Sequence, residues 1–221
     1  MIILGSTGSI GVNTLNIARE FGLKVEGLVA GTNYKLLNQQ IKEFNPKFVV
    51  VSNREIAEKV EFANVKYGED EILRVIEESK SEMVVNALVG AIGLKPTLKA
   101  NECNKKIALA NKESLVIAGK FVDFSKLTPI DSEHFGLWYL MSGRELKKLI
   151  ITASGGALRN FELSKLQNAR LNEVLNHPNW SMGTKITIDS ATMVNKLFEV
   201  IEAKWLFDTK EIDAIIETSS T

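Results

Sequence analysis

The sequence predicts an α/β fold, a parallel sheet covered by helices on both faces, and three observations predict it. Short β-branched runs recur through the first 120 residues: "MIIL", "VEGLVA", "KFVVVS", "EMVVNAL" and "KKIALA". Segments of helical spacing lie between them, as with Ile10, Leu15, Ile17, Ala18 and Phe21. A glycine-rich stretch follows the first run directly and leads into the first helical segment. Strand and helix in alternation make a parallel sheet, because each parallel pairing needs a crossover that a helix supplies.

Composition bounds the rest. The chain has 221 residues, 45% apolar and 24% charged, enough for one large or two small globular domains. Lys+Arg and Asp+Glu both number 27, so the formal charge is zero. That removes the electrostatic case for nucleic acid or an anionic membrane as partner, and any anionic ligand must be held by a local site. Cys103 is the single cysteine, which rules out an internal disulfide and suits a reducing compartment. The opening "MIILGSTG" lacks the pattern of a signal peptide, and no apolar run approaches the roughly 18 residues of a membrane span. The expectation is a soluble cytoplasmic protein.

Taken in order, "GSTGSIG" (Gly5 to Gly11) sits between a strand and a helix, the context of a dinucleotide site in a Rossmann-like domain. Glycines there allow a tight turn and close backbone approach, and the helix N-terminus faces a pyrophosphate. A ligand-free strand-to-helix turn is the alternative. The second strand ends in Ala30, Gly31, Thr32 and Asn33, without the acid that binds the ribose hydroxyls of NAD. A carboxylate would repel a 2′-phosphate, so its absence favours NADPH. "LANKESL" then ends a strand on Asn111, Lys112 and Glu113, at the edge where open parallel sheets bind ligands. Taken alone, the stretch reads more simply as a helix start capped by Asn111 with a surface Lys-Glu pair.

From Leu127 the texture changes, which places a domain boundary near residues 123–131 and divides the chain into 1–126 and 127–221. "PIDSEH" carries Asp131 and Glu133 two apart; in an extended chain they point to one side. Two carboxylates converging without a basic partner call for a cation, and hard oxygen ligands suit Mg²⁺ or Mn²⁺. An exposed helix start capped by Ser132 is the alternative. "LTPI", "KKLIITAS" and "KITID" read as strands, with short helices and a substantial loop before the last. "ASGGA" (Ala153 to Ala157) offers Ser154 and flexible backbone donors as a phosphate cradle. "NHPNWSMG" places His177, Trp180 and Met182 in a loop fit to close over a ligand. In "SATMVNKLFEVIEAKWLF", an amphipathic helix, Asn195, Lys196 and Glu199 share one face while Met193, Leu197, Val200, Ile201 and Trp205 read as core. Lys196 and Glu199 also fit a surface ion pair, and Glu202 and Lys204 read as solvated charges. "EIDAIIET" reads as a final strand.

These stretches together, "GSTGSIG", "ALANKESLV", "PIDSEH", "ITASGGA" and "HPNWSMG" with the "DSATM" helix, resemble in order and spacing the 1-deoxy-D-xylulose 5-phosphate reductoisomerase family. The resemblance runs from Ile3 to about Ile216. It implies conversion of 1-deoxy-D-xylulose 5-phosphate to 2-C-methyl-D-erythritol 4-phosphate, a step of non-mevalonate isoprenoid synthesis, with NADPH and Mn²⁺ or Mg²⁺. By the resemblance, Thr7, Gly8, Ser9, Ile10, Gly31, Asn33 and Asn111 contact NADPH, with Glu113 and Gly183 adding to that site. Asp131, Glu133 and Glu199 hold the metal and belong to the catalytic set, and Glu133 and Glu199 also contact the substrate. Lys112, Ser132, Ser154, His177, Ser190, Asn195 and Lys196 contact substrate and phosphate, Lys112 and His177 among the catalytic set. The family is longer, with further catalytic-domain strands, a helical C-terminal domain and a homodimer, so the second domain is expected to continue beyond Thr221. Two readings stand beside it: a remnant that binds NADPH without turnover, and another NAD(P)-dependent dehydrogenase.

Overall fold

The computed structural model describes residues 1–141, 146–179 and 183–218. It divides into two compact units, Met1–Asp131 and Ser132–Thr221. No helix of the described residues is long and apolar enough to cross a membrane.

The first unit is α/β. Its elements run β1 (Ile2–Leu4), α1 (Ser9–Glu20), β2 (Gly27–Val29), α2 (Tyr34–Phe44), β3 (Phe48–Val51), α3 (Arg54–Ala57), β4 (Lys66–Tyr67), α4 (Glu69–Glu78), β5 (Met83–Asn86), α5 (Leu94–Glu102), β6 (Lys106–Leu109), α6 (Lys112–Ala118) and β7 (Leu127–Pro129). The strands form one seven-stranded sheet in the order β4-β3-β2-β1-β5-β6-β7, and every pairing is parallel. The strand read at "LTPI" thus completes this sheet beside β6. Ile2, Ile3 and Leu4 are all fully buried, as a central strand covered on both faces requires. One core gathers Ile3, Leu28, Val49, Val51 and Val85 of the sheet against Leu15 and Ala18 of α1 and Leu37 and Ile41 of α2.

Local signals set the helix ends. Asn33 caps α2 by accepting from Leu36 N–H at 3.3 Å, and Asn45 ends it in the left-handed region at φ 43°. Three acids, Glu69, Asp70 and Glu71, occupy the first turn of α4, where the helix dipole favours negative charge. The chain leaves β1 outward through β2, β3 and β4, then crosses back to pair β5 with the other side of β1. That reversal opens a crevice beyond the carboxyl ends of β1 and β5, the place where open α/β sheets bind ligands.

The second unit holds α7 (Ser132–Met141), β8 (Leu149–Ala153), the single turns α8 (Leu163–Leu166) and α9 (Leu171–Val174), α10 (Thr184–Ala191), α11 (Val194–Leu206) and β9 (Ile212–Ile216). Strands β8 and β9 pair in parallel, Leu149 with Ile212 through Ala153 with Ile216. Leu149, Ile151 and Ala203 centre its core, packed by Leu137, Val200 and Phe207.

Three local expectations are corrected here. "KITID" is the helix α10 and not a strand: Ile186 and Ile188 alternate by chance, whereas Thr187 and Ala191 are the buried pair at helical spacing. Thr187 Oγ1 donates back to Gly183 O at 2.9 Å, and Lys185 pairs with Asp189 one turn on at 2.6 Å. Ser132 opens α7, so Asp131 and Glu133 do not share one extended strand. The helix α11 follows its expected apolar face only in part: Val200 packs on the core, but Lys196, Glu199, Glu202 and Ala203 are the buried residues and Leu197 is 55% exposed.

Candidate active site

Two clusters concentrate the chemistry, one in each unit. In the first, the turn from β1 to α1 lies at the sheet's crevice. Gly5 N–H and Ser6 N–H both donate to Val29 O, at 2.8 and 2.9 Å, which ties the turn to β2. Glycine at position 11 is required by close approach, since a Cβ there would lie 2.2 Å from Gly5 O. Gly8 differs. Its φ of −80° is ordinary, and a Cβ would meet only Gly5 O at 3.4 Å. Nothing in the protein itself demands glycine at that spot. Among the described residues no side chain caps α1, and its first turn holds no acid. The positive end of the helix dipole is therefore presented at the turn, with Thr7, Gly8, Ser9 and Ile10 around it, which suits a phosphate.

Gly31 and Asn33 follow β2 and are exposed; Asn33 spends its side chain on capping α2. Asn111 is 1% exposed and does the same for α6, accepting from Ser114 N–H at 3.0 Å. Its amide also donates to Leu88 O and Gly90 O, at 2.8 and 2.9 Å. The cap reading of "LANKESL" is therefore realised, with Lys112 and Glu113 half-buried in the first turn of α6.

Beneath this edge lies a network that sequence reasoning missed. Asn86, fully buried at the end of β5, donates to Gly93 O at 2.8 Å and Thr97 Oγ1 at 2.9 Å. Thr97 Oγ1 meets Ser114 Oγ at 3.0 Å, and Ser114 bonds Asn111. The only sequence signal was an asparagine closing the apolar run "EMVVN". The network locks the ends of β5 and β6, and so the crevice wall, in one geometry.

The second cluster joins α7 to α11. Glu133 stands in the first turn of α7 and Glu199 in the middle of α11, with Lys196 one turn before it. Lys196 Nζ lies 3.3 Å from Glu133 Oε1 and also contacts Glu199 Oε2, so one ammonium bridges two carboxylates. Asn195 Nδ2 donates to the other Glu199 oxygen at 2.6 Å, and Ser132 Oγ donates to Glu133 Oε2 at 2.6 Å. Glu199 is fully buried and Lys196 is 7% exposed. The surface-pair reading of these residues is thereby corrected. Placing such charges in a low-dielectric interior is costly unless every lone pair is engaged, and hydrophobic replacements usually serve stability as well.

Glu202 is also corrected, from a solvated charge to a buried one. It stands 3.3 Å from Nδ1 of His134, itself fully buried. His134 Nε2 donates to Glu199 O at 2.9 Å, and its ring stacks on Phe207 at 6.1 Å. His134 thus fastens the start of α7 to the backbone that carries Glu199. Asp131, the last residue of the first unit, is buried. Carboxylates of this kind are hard oxygen donors and fit Mg²⁺ or Mn²⁺.

Beyond the end of β8, Ser154 Oγ lies 3.1 Å from His177 Nε2. Asn179 N–H donates to His177 Nδ1 at 3.2 Å, so Nε2 carries the proton and donates to Ser154. Burial, and then the nearby Arg159 charge, push the His177 pKa below 6.5. Arg159 also donates to Ser154 O at 2.8 Å. Gly156, at φ +70°, admits no side chain: a Cβ would lie 2.4 Å from Ser190 O. Its turn therefore packs on the end of α10 and sets Ser190 beside the Ser154 loop. Gly183 caps α10 and is exposed. The loop residues Trp180 and Met182 lie outside the described residues.

Comparison with known proteins gives one answer. A family model for 1-deoxy-D-xylulose 5-phosphate reductoisomerase matches residues 1–119, and one for the C-terminal domain of that enzyme matches 127–207. A 1-deoxy-D-xylulose 5-phosphate reductoisomerase of Nautilia profundicola is 67% identical over the whole chain, and one of Wolinella succinogenes 53%. The chain spans 62% of the length of both relatives. Among solved structures, a DOX-P reductoisomerase in complex with NADPH, fosmidomycin and magnesium is similar at TM-score 0.86 and 37% identity, covering 99% of this chain and 61% of that one. The Zymomonas mobilis enzyme in complex with NADPH is similar at TM-score 0.85 and 32% identity, again over 99% of this chain and 61% of the other.

Proposed function

Because the chain belongs to the 1-deoxy-D-xylulose 5-phosphate reductoisomerase family, we propose that it carries the NADPH-binding and metal-binding parts of that activity. The reaction is the rearrangement of 1-deoxy-D-xylulose 5-phosphate and NADPH-dependent reduction to 2-C-methyl-D-erythritol 4-phosphate, a step of isoprenoid precursor synthesis. The observation that carries this reading is the buried Glu199, held with Lys196 against Glu133. Such a cluster is too costly to keep for packing alone.

The residues divide the work. Gly8, Ser9 and Ile10 present the α1 N-terminus to the NADPH pyrophosphate, with Thr7, Gly31, Asn33, Asn111, Glu113 and Gly183 completing that site. The missing acid after β2 leaves room for a 2′-phosphate. Asp131, Glu133 and Glu199 hold Mg²⁺ or Mn²⁺. When bound, the ion supplies a Lewis acid for the substrate's ketone and neighbouring hydroxyl, and NADPH supplies hydride. Lys112 stabilises negative charge that develops on oxygen. Ser154, Ser190, Asn195 and Lys196, with Ser132, hold the phosphate and hydroxyls so that the fragments stay aligned. His177, neutral and donating from Nε2, gives that pocket an uncharged hydrogen-bond donor near neutrality.

The expected division at 126/127 shifts, because β7 pairs with β6: Met1–Asp131 is assigned to NADPH and Ser132–Thr221 to metal and substrate, with Asp131 at the boundary. The whole protein works in the cytoplasm as a homodimer, with a phosphorylated ketose as its partner and neither nucleic acid nor membrane; the zero net charge supports the last point. Mn²⁺ titration followed by electron paramagnetic resonance tests the assignment. Glu199→Gln is expected to lose Mn²⁺ binding and leave NADPH fluorescence titration unchanged. Equal loss of both would place Glu199 in the fold instead.

A further inference from the structure

The ammonium of Lys196 occupies the ground that the proposed metal would share. It bridges Glu133 Oε1, at 3.3 Å, and Glu199 Oε2, and it is almost wholly buried. Glu199's second oxygen is taken by Asn195 Nδ2 at 2.6 Å, and Glu133's second oxygen by Ser132 Oγ at 2.6 Å. A cation reaching the inner oxygens therefore meets a cation already there. We infer that Lys196 is a resident counter-ion of the carboxylate pair, and that a divalent ion binds by exchange for its ammonium.

Charge repulsion supports the exchange. The ammonium of Lys196 cancels one of the negative charges that the proposed carboxylate ligands offer, and within the same contact shell it repels an ion of charge +2. Geometry permits the change. Lysine is a point charge on a flexible stem, able to swing aside without moving α11, which arginine's rigid fork could not do as easily. The exchange would keep Glu133 and Glu199 compensated at all times, and so avoid an unpaired buried carboxylate, which is the costly state. It also frees the ammonium, when the ion arrives, for an anion of the substrate.

The inference rests on the proposed metal role of Glu133 and Glu199, and the test separates the two. Mn²⁺ binding to the 221-residue chain is titrated for the wild type, Glu199→Gln, Lys196→Gln and Lys196→Arg. Lys196→Gln is expected to bind Mn²⁺ about tenfold more tightly than the wild type, because a competing cation is gone. Lys196→Arg, which keeps the charge, is expected to stay near the wild type or weaken. Unchanged or weaker binding in Lys196→Gln would overturn the exchange, making Lys196 a bystander or a structural strut. Absent binding in the wild type would sink the metal reading itself. Thermal unfolding guards against a folding defect. Mn²⁺ should raise the melting temperature of Lys196→Gln more than that of the wild type, and should restore it if it is unfolded in chelator. A Lys196→Gln chain that stays unfolded in saturating Mn²⁺ would also overturn the inference.

Discussion

Gly8 and Gly11 stand three apart in one turn yet do different things. Gly11 answers to the protein, with Gly5 O only 2.2 Å from any Cβ, whereas Gly8 has ordinary contacts and a common φ. Gly11→Ala should therefore destabilise the first unit by about 1–3 kcal/mol, read by denaturant unfolding. Gly8→Val should leave the unfolding midpoint nearly unchanged and abolish NADPH binding. Unchanged NADPH affinity in Gly8→Val would remove the turn from the cofactor site. His177 gives a second residue-scale prediction. Its ring accepts at Nδ1 and donates at Nε2, and burial and Arg159 both disfavour protonation. Nitrogen NMR should show the Nε2–H tautomer titrating below pH 6.5. As the native state binds this proton more weakly than the unfolded chain, stability from the site holds above the unfolded pKa and falls as pH drops below it.

At the scale of elements, buried polar ties decide where the strand ends sit. Asn86 joins β5 to α5 through Gly93 O and Thr97, and Thr97 passes the link to α6 through Ser114. Asn86→Leu strands these partners in the core and should cost about 1–3 kcal/mol per group left unpaired. Its effect on NADPH affinity should follow from the loosened β5 edge. The other end of the sheet has its own tie. Glu26 accepts from Ser79 and Ser81 hydroxyls, each at 2.6 Å. Desolvation works to raise its pKa, but these bonds and the Lys80 and Ser81 amides outweigh it and lower it from 4.5 to about 2. A depressed carboxyl stabilises above its unfolded pKa and loses that contribution as pH falls from 4.5 toward about 2. Glu26→Gln should flatten the acid limb of the stability curve in that window, and an unchanged limb would refute the tie.

For the molecule as a whole, the parts legible in the sequence were those written in local pattern. The parallel sheet followed from alternating runs, and the turn from Gly5 to Gly11 from its position between strand and helix. What stayed hidden depended on tertiary partners. Asn111 could be read as a cap or as a ligand contact, since both use the same position at a strand end. Ile186 and Ile188 mimicked a strand because two residues of alternation do not distinguish periods. Glu202 looked solvated because nothing in the helix reveals His134 facing it from α7. The burial of Lys196, Glu199 and Glu202 on α11, with Leu197 outward, escapes amphipathic reasoning because their partners Glu133 and His134 stand on α7. The most direct measurement is binding of NADPH and of Mn²⁺ to this chain, read by fluorescence and by electron paramagnetic resonance. Saturable binding of both is expected, with Mn²⁺ binding alone lost in Glu199→Gln. Absent NADPH binding, or Mn²⁺ binding unchanged in Glu199→Gln, would contradict the proposed division of the site.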